Sequence, residues 1–536
     1  MAAECGYTHD VSGERFEDLE GDSWTCSRAP VEDGRCVFHT RPEAVSDSTV
    51  REEFLTAVTN EDGPLRLLGA RLGSLSLDYA ILAGPSNHPI DLREVEVTGA
   101  LSARYVTVER PLRVEGARLR GRVDFEDATF ERRVDLGGVT FDDRVSFRLA
   151  NFESWLDLRD TDFHGPAYMR VATFVRGIYG VDATFHDAAD FLNTQFRDVA
   201  NFYRATFHCG AIFDSSTFEG NAQFYDADIE APAVKLDSAT GSPRSERERR
   251  DGVALSLDGV SCERDLRLAG ATLGGDVRFT DSDLGRDIEC GDLSTDESVV
   301  VDCAGTEVVS GEVSGADGTV EYDFTGATVG EIDILDGATF DVFRFDETTF
   351  QGFDFGAYKT ELAKRNWTLH DTDADVEHER IENLYLRAKN GANDVGETRA
   401  SAEFFVHEMT HRRLGHRQRA LAGESLRARG RGAGQWLANT ALRLTCGYGE
   451  RPFRPVLFSL SIITLFAGVY AWLDAPITYA EPFGYLTFSI EGFVSLVLGL
   501  PVVSGPALGF VVALEGFVGG FIIALFVFTL TRSISR

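Results

Sequence analysis

The sequence predicts a multidomain chain: a solenoid of short strands, then a helical linker, then an α-helical membrane domain with two spans. Three observations predict it. Large apolar residues recur every 11 positions between Val123 and Ile229, helical spacing replaces that period after residue 356, and Pro455 to Thr531 is apolar with no Lys or Arg. At 536 residues the chain is too long for one compact core.

Charge narrows the class. The chain has 86 acidic against 52 basic residues, a net charge of -34, which excludes non-specific nucleic-acid binding by the chain as a whole. Only Lys235, Lys359, Lys364 and Lys389 are lysine; the remaining basic residues are arginine. An acidic, lysine-poor surface stays hydrated at molar salt, where a Debye length of about 3 Å screens its self-repulsion, and fits a halophile. The amino terminus MAAECGYTHD has no basic region followed by an apolar run, so no secretory signal is expected and most of the chain is expected in the cytoplasm. Its 8 cysteines are too sparse for a disulfide scaffold, leaving metal binding or burial.

Residues 1–42 place Cys5, Cys26, Cys36 and His39 around Trp24, Val37 and Phe38. Three thiols and an imidazole are the donor set of a closed tetrahedral zinc site, and a metal would supply folding energy to a segment with little core. Such a site would be structural; the alternative is three buried thiols and a surface histidine. Residues 43–62 hold a short helix over 48–60, with Ser48 as its cap and Val50, Phe54 and Ala57 on one face, expected to cover the near end of the solenoid.

The solenoid is expected over 63–236 and again over 253–356, interrupted by a charged loop at 237–252. Phe130, Phe141, Phe152, Phe163, Phe174, Phe185, Phe196, Phe207 and Phe218 form one series, with small residues such as Ala128 and Ala150 two positions before them. A second series, Phe125, Leu136, Phe147, Leu158, Met169, Gly180, Phe191, Phe202, Phe213 and Phe224, interleaves, so steps alternate between five and six residues. Short strands joined by tight corners, with both marked positions inward, fit this spacing. It resembles the pentapeptide-repeat family, and the resemblance implies a right-handed, quadrilateral β-helix with about 22 residues per coil and a rise of about 4.8 Å. The register thins near 292–319, and Cys262 and Cys290 fall at inward, packing positions.

Over 357–450 the linker is expected to carry an antiparallel helical pair. Ile381, Leu384, Tyr385 and Ala388 mark one helix, Ala402, Phe405, Val406 and Met409 the other, and the turn is expected at 390–397. The second helix contains HEMTH, with His407 and His411 as would-be zinc ligands and Glu408 as base. Helical geometry turns both histidines away from the apolar face, Arg412 and Arg413 adjoin them, and no third histidine stands at the peptidase spacing, so no enzyme is expected. Residues 435–446 read as a helix lying along a membrane surface.

In the membrane domain, 451–536, spans are expected at 455–473 and 507–530, and the many arginines before the first place both termini in the cytoplasm. Residues 484–499 are apolar but too short to cross, the signature of a re-entrant segment. Span, re-entrant helix and span together resemble the two-helix pore module of potassium channels. Aligned on it, Ser495, Leu496, Val497, Leu498 and Gly499 take the filter positions behind Glu491, and only the second filter glycine is present. With the Cys/His amino terminus, the EFFVHEM stretch and the GYGERPFRP junction, the chain is similar to pentapeptide-repeat membrane proteins of halophilic archaea. The expectation is a cell-membrane protein, channel-like and conducting ions as a homo-oligomer, a tetramer, with the bilayer, an ion and a protein on the β-helix as partners. The alternatives are a non-conducting anchored scaffold, a zinc peptidase, and a DNA-mimicking topoisomerase binder.

Overall fold

The computed structural model describes residues 4–232, 252–314, 319–335, 339–370, 376–423, 425–476, 479, 483–499, 501, 503 and 505–534. Apart from Gly252, the charged loop expected at 237–252 lies outside them, as do Lys235 and Leu500. The chain forms two compact units, 1–351 and 352–536.

The first unit opens with a hairpin, Thr8–Asp10 against Ser23–Thr25, followed by helix α1, Asp47–Asn60. Ser46, not Ser48, caps α1: its backbone is extended and its hydroxyl accepts the Thr49 N–H, leaving Ser48 inside the first turn. Val50, Phe54 and Ala57 are buried as their spacing requires, joined by Val58. Phe54 reaches the apolar interior of the first coils, where leucine and valine stand in place of phenylalanine and leave a cavity of about 60 Å³.

Behind α1 the chain winds into the β-solenoid that the repeats require. One face is a sheet of 12 parallel strands, one per coil. Most strands are two residues long and pair with the strand one coil on, as Thr129–Phe130 does with Asn151–Phe152. Between these rungs, Phe130, Phe152, Phe174, Phe196 and Phe218 stack inside with ring centroids 4.7, 5.1, 5.4 and 4.7 Å apart. A second inner stack runs through Phe141, Phe163, Phe185 and Phe207. The backbone rise and the offset-stacking distance of aromatic rings nearly coincide, so one repeat length satisfies both. Gly180 stands in a large-residue series because a Cβ there would meet the Phe202 ring at 2.9 Å.

The alternation of five and six residues has a backbone cause. Each five-residue step turns on a left-handed residue: φ is 57° at Asp127, 61° at Leu149, 60° at Val171, 55° at Asn193 and 57° at Ser215. For an L-residue this conformation costs about 1–2 kcal/mol, and stacking of the flanking coils offsets it.

The thinning near 292–319 also has a structural cause. Val301, Tyr322 and Phe343 align at a period of 21, and the strands Glu307–Val313 and Thr328–Ile334 run through what was a corner, joining two faces. Among the described residues, another face ends at Thr272–Gly274 and the single Thr272–Ser294 bridge. Cys262 and Cys290 are buried here as packing residues, and burial pushes both thiols up to about 12.

The second unit is helical: α2 (Lys359–Lys364), α3 (His378–Asp394), α4 (Thr398–Ala422), α5 (Leu426–Cys446), α6 (Phe453–Trp472), α7 (Gly484–Leu498) and α8 (Pro506–Ile534). Ile381, Leu384, Tyr385 and Ala388 of α3 are buried as expected. Its helix continues through Asn390–Asp394, and the reversal is confined to Val395–Glu397, where Gly396 takes φ 81°.

On α4 the buried face differs from the one the apolar spacing selects. Ala400, Ser401, Phe404, Glu408 and His411 are buried, whereas Ala402, Phe405, Val406 and Met409 are half-buried. Partners explain the inversion: Phe404 packs edge-on against Phe355 and Trp367, Glu408 meets two cations, and His411 packs near Tyr385. The expected surface helix at 435–446 is the second half of α5, which Ser425 caps ten residues earlier.

Val171 is β-branched, exposed and left-handed, so Val171→Asn is expected to stabilise the solenoid by about 1 kcal/mol. Phe174→Ala, in the middle of a stack, is expected to cost about 3–5 kcal/mol. Denaturant midpoints of the β-sheet signal check both.

Candidate functional site

Three places carry chemistry. In the first, the amino-terminal hairpin brings Cys26 to the end of its second strand, and residues 36–40 make one tight turn, with the His39 and Thr40 N–H groups donating to the Cys36 carbonyl at 3.0 Å. That turn puts Cys36 Sγ 3.1 Å from His39 Nδ1, with Cys26 Sγ 3.8 Å from Cys36 Sγ and Cys5 Sγ 4.0 Å from the imidazole nitrogen. All four residues are buried, their donor atoms lie within 4.8 Å of one another, and the cysteines are free thiols. His39 Nε2 lies 3.1 Å from the Leu68 carbonyl, which fixes the ring and leaves Nδ1 facing the thiols. Tyr7 stacks on the same ring at 4.0 Å. The Cys26 thiol and then His39 pull the Cys36 thiol far below its usual range, toward the thiolate a metal takes. Three sulfurs and one nitrogen, closed from solvent, fit a tetrahedral zinc site, with no open position for a substrate.

The second place is HEMTH. His407 Nε2 lies 2.6 Å from the Asn366 carbonyl, and its ring stacks on Tyr385 at 4.7 Å. Glu408 accepts from Lys389 Nζ and Arg412 Nη2, both at 2.7 Å, so its carboxylate is committed to an ion-pair network between α3 and α4. His411 faces His370 and His378 instead. Among the described residues the would-be ligands do not converge with a third donor. Burial, then His370, His378 and His407, holds His411 down to about 4.

The third place is the last three helices. α6 and α8 are long and apolar enough to cross a membrane, and α7 at 15 residues is shorter. α7 lies along a glycine stripe of α8: a Cβ on Gly516 would collide with Ser495 Oγ, on Gly519 with the Phe493 carbonyl, and on Gly520 with Leu496. A buried polar centre fixes this packing. Glu515 of α8, fully buried, accepts from Tyr470 of α6 at 2.5 Å and hydrogen-bonds Ser489 of α7, whose Oγ also lies 2.8 Å from the Ile463 carbonyl. The sequence displayed Glu515 as an acid inside a span, but nothing in the spacing revealed its two hydroxyl partners.

The aligned filter residues are divided by this packing. Ser495, Leu496, Val497 and Leu498 form the last turn of α7, with Ser495 buried against Gly516 and the other three exposed, and Gly499 ends the helix at φ 98°. Glu491 is exposed, hydrogen-bonded by Tyr479, on the same open stripe as Phe483, Leu486, Ile490, Val497 and Leu498.

With the geometry in place, comparison with known proteins identifies one family: pentapeptide repeats (9 copies) match residues 92–151, 115–162 and 191–240. As far as residue 232 the matched residues lie in the central coils, so the chain carries pentapeptide repeats wound into a β-solenoid. No curated protein and no solved structure matches the chain.

A lowered folded-state value at His411 means that the unfolded chain binds the proton more readily, so stability present above about pH 6.5 is lost as pH falls toward 4. Acidification across that window is expected to destabilise the α3–α4 pair by at most about 3 kcal/mol, and His411→Phe to flatten the dependence. Helical melting of the full chain at stepped pH checks this.

Proposed function

We propose that the chain is a cell-membrane protein whose α6–α8 module assembles from several copies, four in the channel-like reading, into a cation path, with the β-solenoid as the arm that binds a signal or protein partner. The observation that carries the reading is α7. A helix of about 22 Å is shorter than the roughly 30 Å hydrocarbon layer, and its end is tolerated at depth only where protein or water covers it. On its open stripe a single carboxylate, Glu491, stands among apolar residues. Facing lipid, an acid there costs about 2.5–3.5 kcal/mol; facing its copies around an axis, it forms the acidic ring of a cation path.

Orientation follows from charge. Arg412, Arg413, Arg417, Arg419, Arg427, Arg429, Arg431 and Arg443 precede α6, and Arg532 closes α8, so both termini belong in the cytoplasm. Exposed Leu437, Leu442 and Leu444 beside these arginines suit α5 to a membrane surface. Zinc held by Cys5, Cys26, Cys36 and His39 is structural in this reading, closing the start of the solenoid, and no catalytic role is assigned to HEMTH. A non-conducting anchored scaffold is the second reading, favoured by the exposed pair Tyr79 and Tyr105, stacked at 4.8 Å on the solenoid surface.

Purified protein in liposomes at high salt is expected to pass cations, with Glu491→Gln lowering the flux about tenfold and deletion of 484–505 abolishing it. No flux from the intact protein, or flux indifferent to both changes, would favour the scaffold. One tightly held zinc per chain is expected, lost in Cys36→Ser together with protease resistance of residues 1–42. Metal analysis finding none in the wild type would remove the zinc.

A further inference from the structure

The solenoid carries a second donor cluster, away from the thiols. On one face, the residue after each inward ring in three successive coils is a histidine: His164 follows Phe163, His186 follows Phe185 and His208 follows Phe207. The parallel register stacks them outside as it stacks the phenylalanines inside, with centroids 4.7 and 5.1 Å apart and ring planes within 4° and 17°.

Asp162, on the strand just before His164, lies against the first two rings. Its Oδ2 is 3.1 Å from His164 Nε2, and its Oδ1 is 2.8 Å from His186 Nε2. Asp162 Oδ1 is closed from solvent, and its 2.8 Å approach to His186 Nε2 falls outside hydrogen-bond geometry. By contrast, His208 has its own hydrogen-bonded partner, Glu230, at 3.0 Å. One carboxylate oxygen and one ring nitrogen from each histidine lie within 4.8 Å of one another. Donor atoms around a four-coordinate ion with bonds of about 2.0–2.1 Å are separated by roughly 3.3 Å, and the approaches of 3.1 and 2.8 Å, each to a different Asp162 oxygen, bring both rings into that range of one carboxylate.

We propose that Asp162, His164 and His186 form a surface site for a divalent transition ion, zinc being the best fit to two imidazoles and one carboxylate. All three residues are partly exposed, so the ion keeps a position open to water or to a donor from a partner. The site therefore differs from the closed Cys5, Cys26, Cys36 and His39 cluster: it binds reversibly, through nitrogen and oxygen only. It spans two coils, and the ion would clamp them together on the outside of the Phe163–Phe185 stack.

The test is a titration of the full chain in detergent with zinc chloride, after a chelator has removed loosely held metal. The wild type is expected to take up one further equivalent, and X-ray absorption of that added zinc to show nitrogen and oxygen neighbours without sulfur. Asp162→Asn and His186→Asn are expected to weaken this binding at least tenfold, and His208→Asn less than threefold, with all three variants keeping the wild-type melting curve. No further equivalent, sulfur around the added metal, or undiminished binding by Asp162→Asn and His186→Asn would overturn the proposal.

Discussion

A coil of this solenoid can bury its inward side chains only against the coils before and after it, and the rest of the first unit depends on that constraint. The backbone sets a rise near 4.8 Å, and aromatic rings stack well at the same distance, so phenylalanine repeated at matching inward positions of successive central coils makes the ladder and the core one structure. The left-handed corners at Leu149 and Val171 are tolerated because neighbouring coils hold them. At the first coil the constraint has no neighbour to satisfy it. There α1 places Phe54 over the interior, and the segment bearing Cys5, Cys26, Cys36 and His39 docks through the Phe38 carbonyl, which accepts the Arg71 N–H at 2.9 Å.

Much of this was legible in the sequence. The alternation of five and six residues fixed the inward positions, and the strands Thr129–Phe130 and Thr140–Phe141 fall where the phenylalanine series puts them. Cys5, Cys26, Cys36 and His39 could be grouped by donor type, and they do converge. α6 lies within two residues, and α8 within four, of the expected limits. Less legible were features that depend on partners distant in sequence. Apolar spacing selected the wrong face of α4, because Glu408 and His411 are buried through Lys389, Arg412 and Tyr385, not through their own hydrophobicity. The cap shifted from Ser48 to Ser46 because both are good capping residues and only backbone conformation chooses between them. His164 and His186 could have been seen by laying the chain out at 22 residues per row, which aligns outward positions as well as inward ones.

The second unit solves a different packing problem. Its last three helices have few charged side chains with which to fix a register, and the packing of α7 on α8 rests on glycines and on one buried acid. Gly516, Gly519 and Gly520 let α7 approach the α8 backbone, and Glu515 ties α6 and α7 to α8 through Tyr470 and Ser489. This leaves α7 held on one side and open on the other, with Glu491 on the open side. At the basic end, Arg532 pairs with Glu450 at 2.9 Å and Arg451 with Glu403 at 2.6 Å, coupling the apolar helices to α4.

In the channel reading, further copies of the chain cover the open face of α7. Native mass spectrometry of the full protein released from mild detergent tests it most directly. Particles of four chains, falling to single chains when Ile490 and Val497 of the open stripe are changed to residues too bulky to pack, are the predicted result. Single chains from the wild type would contradict it.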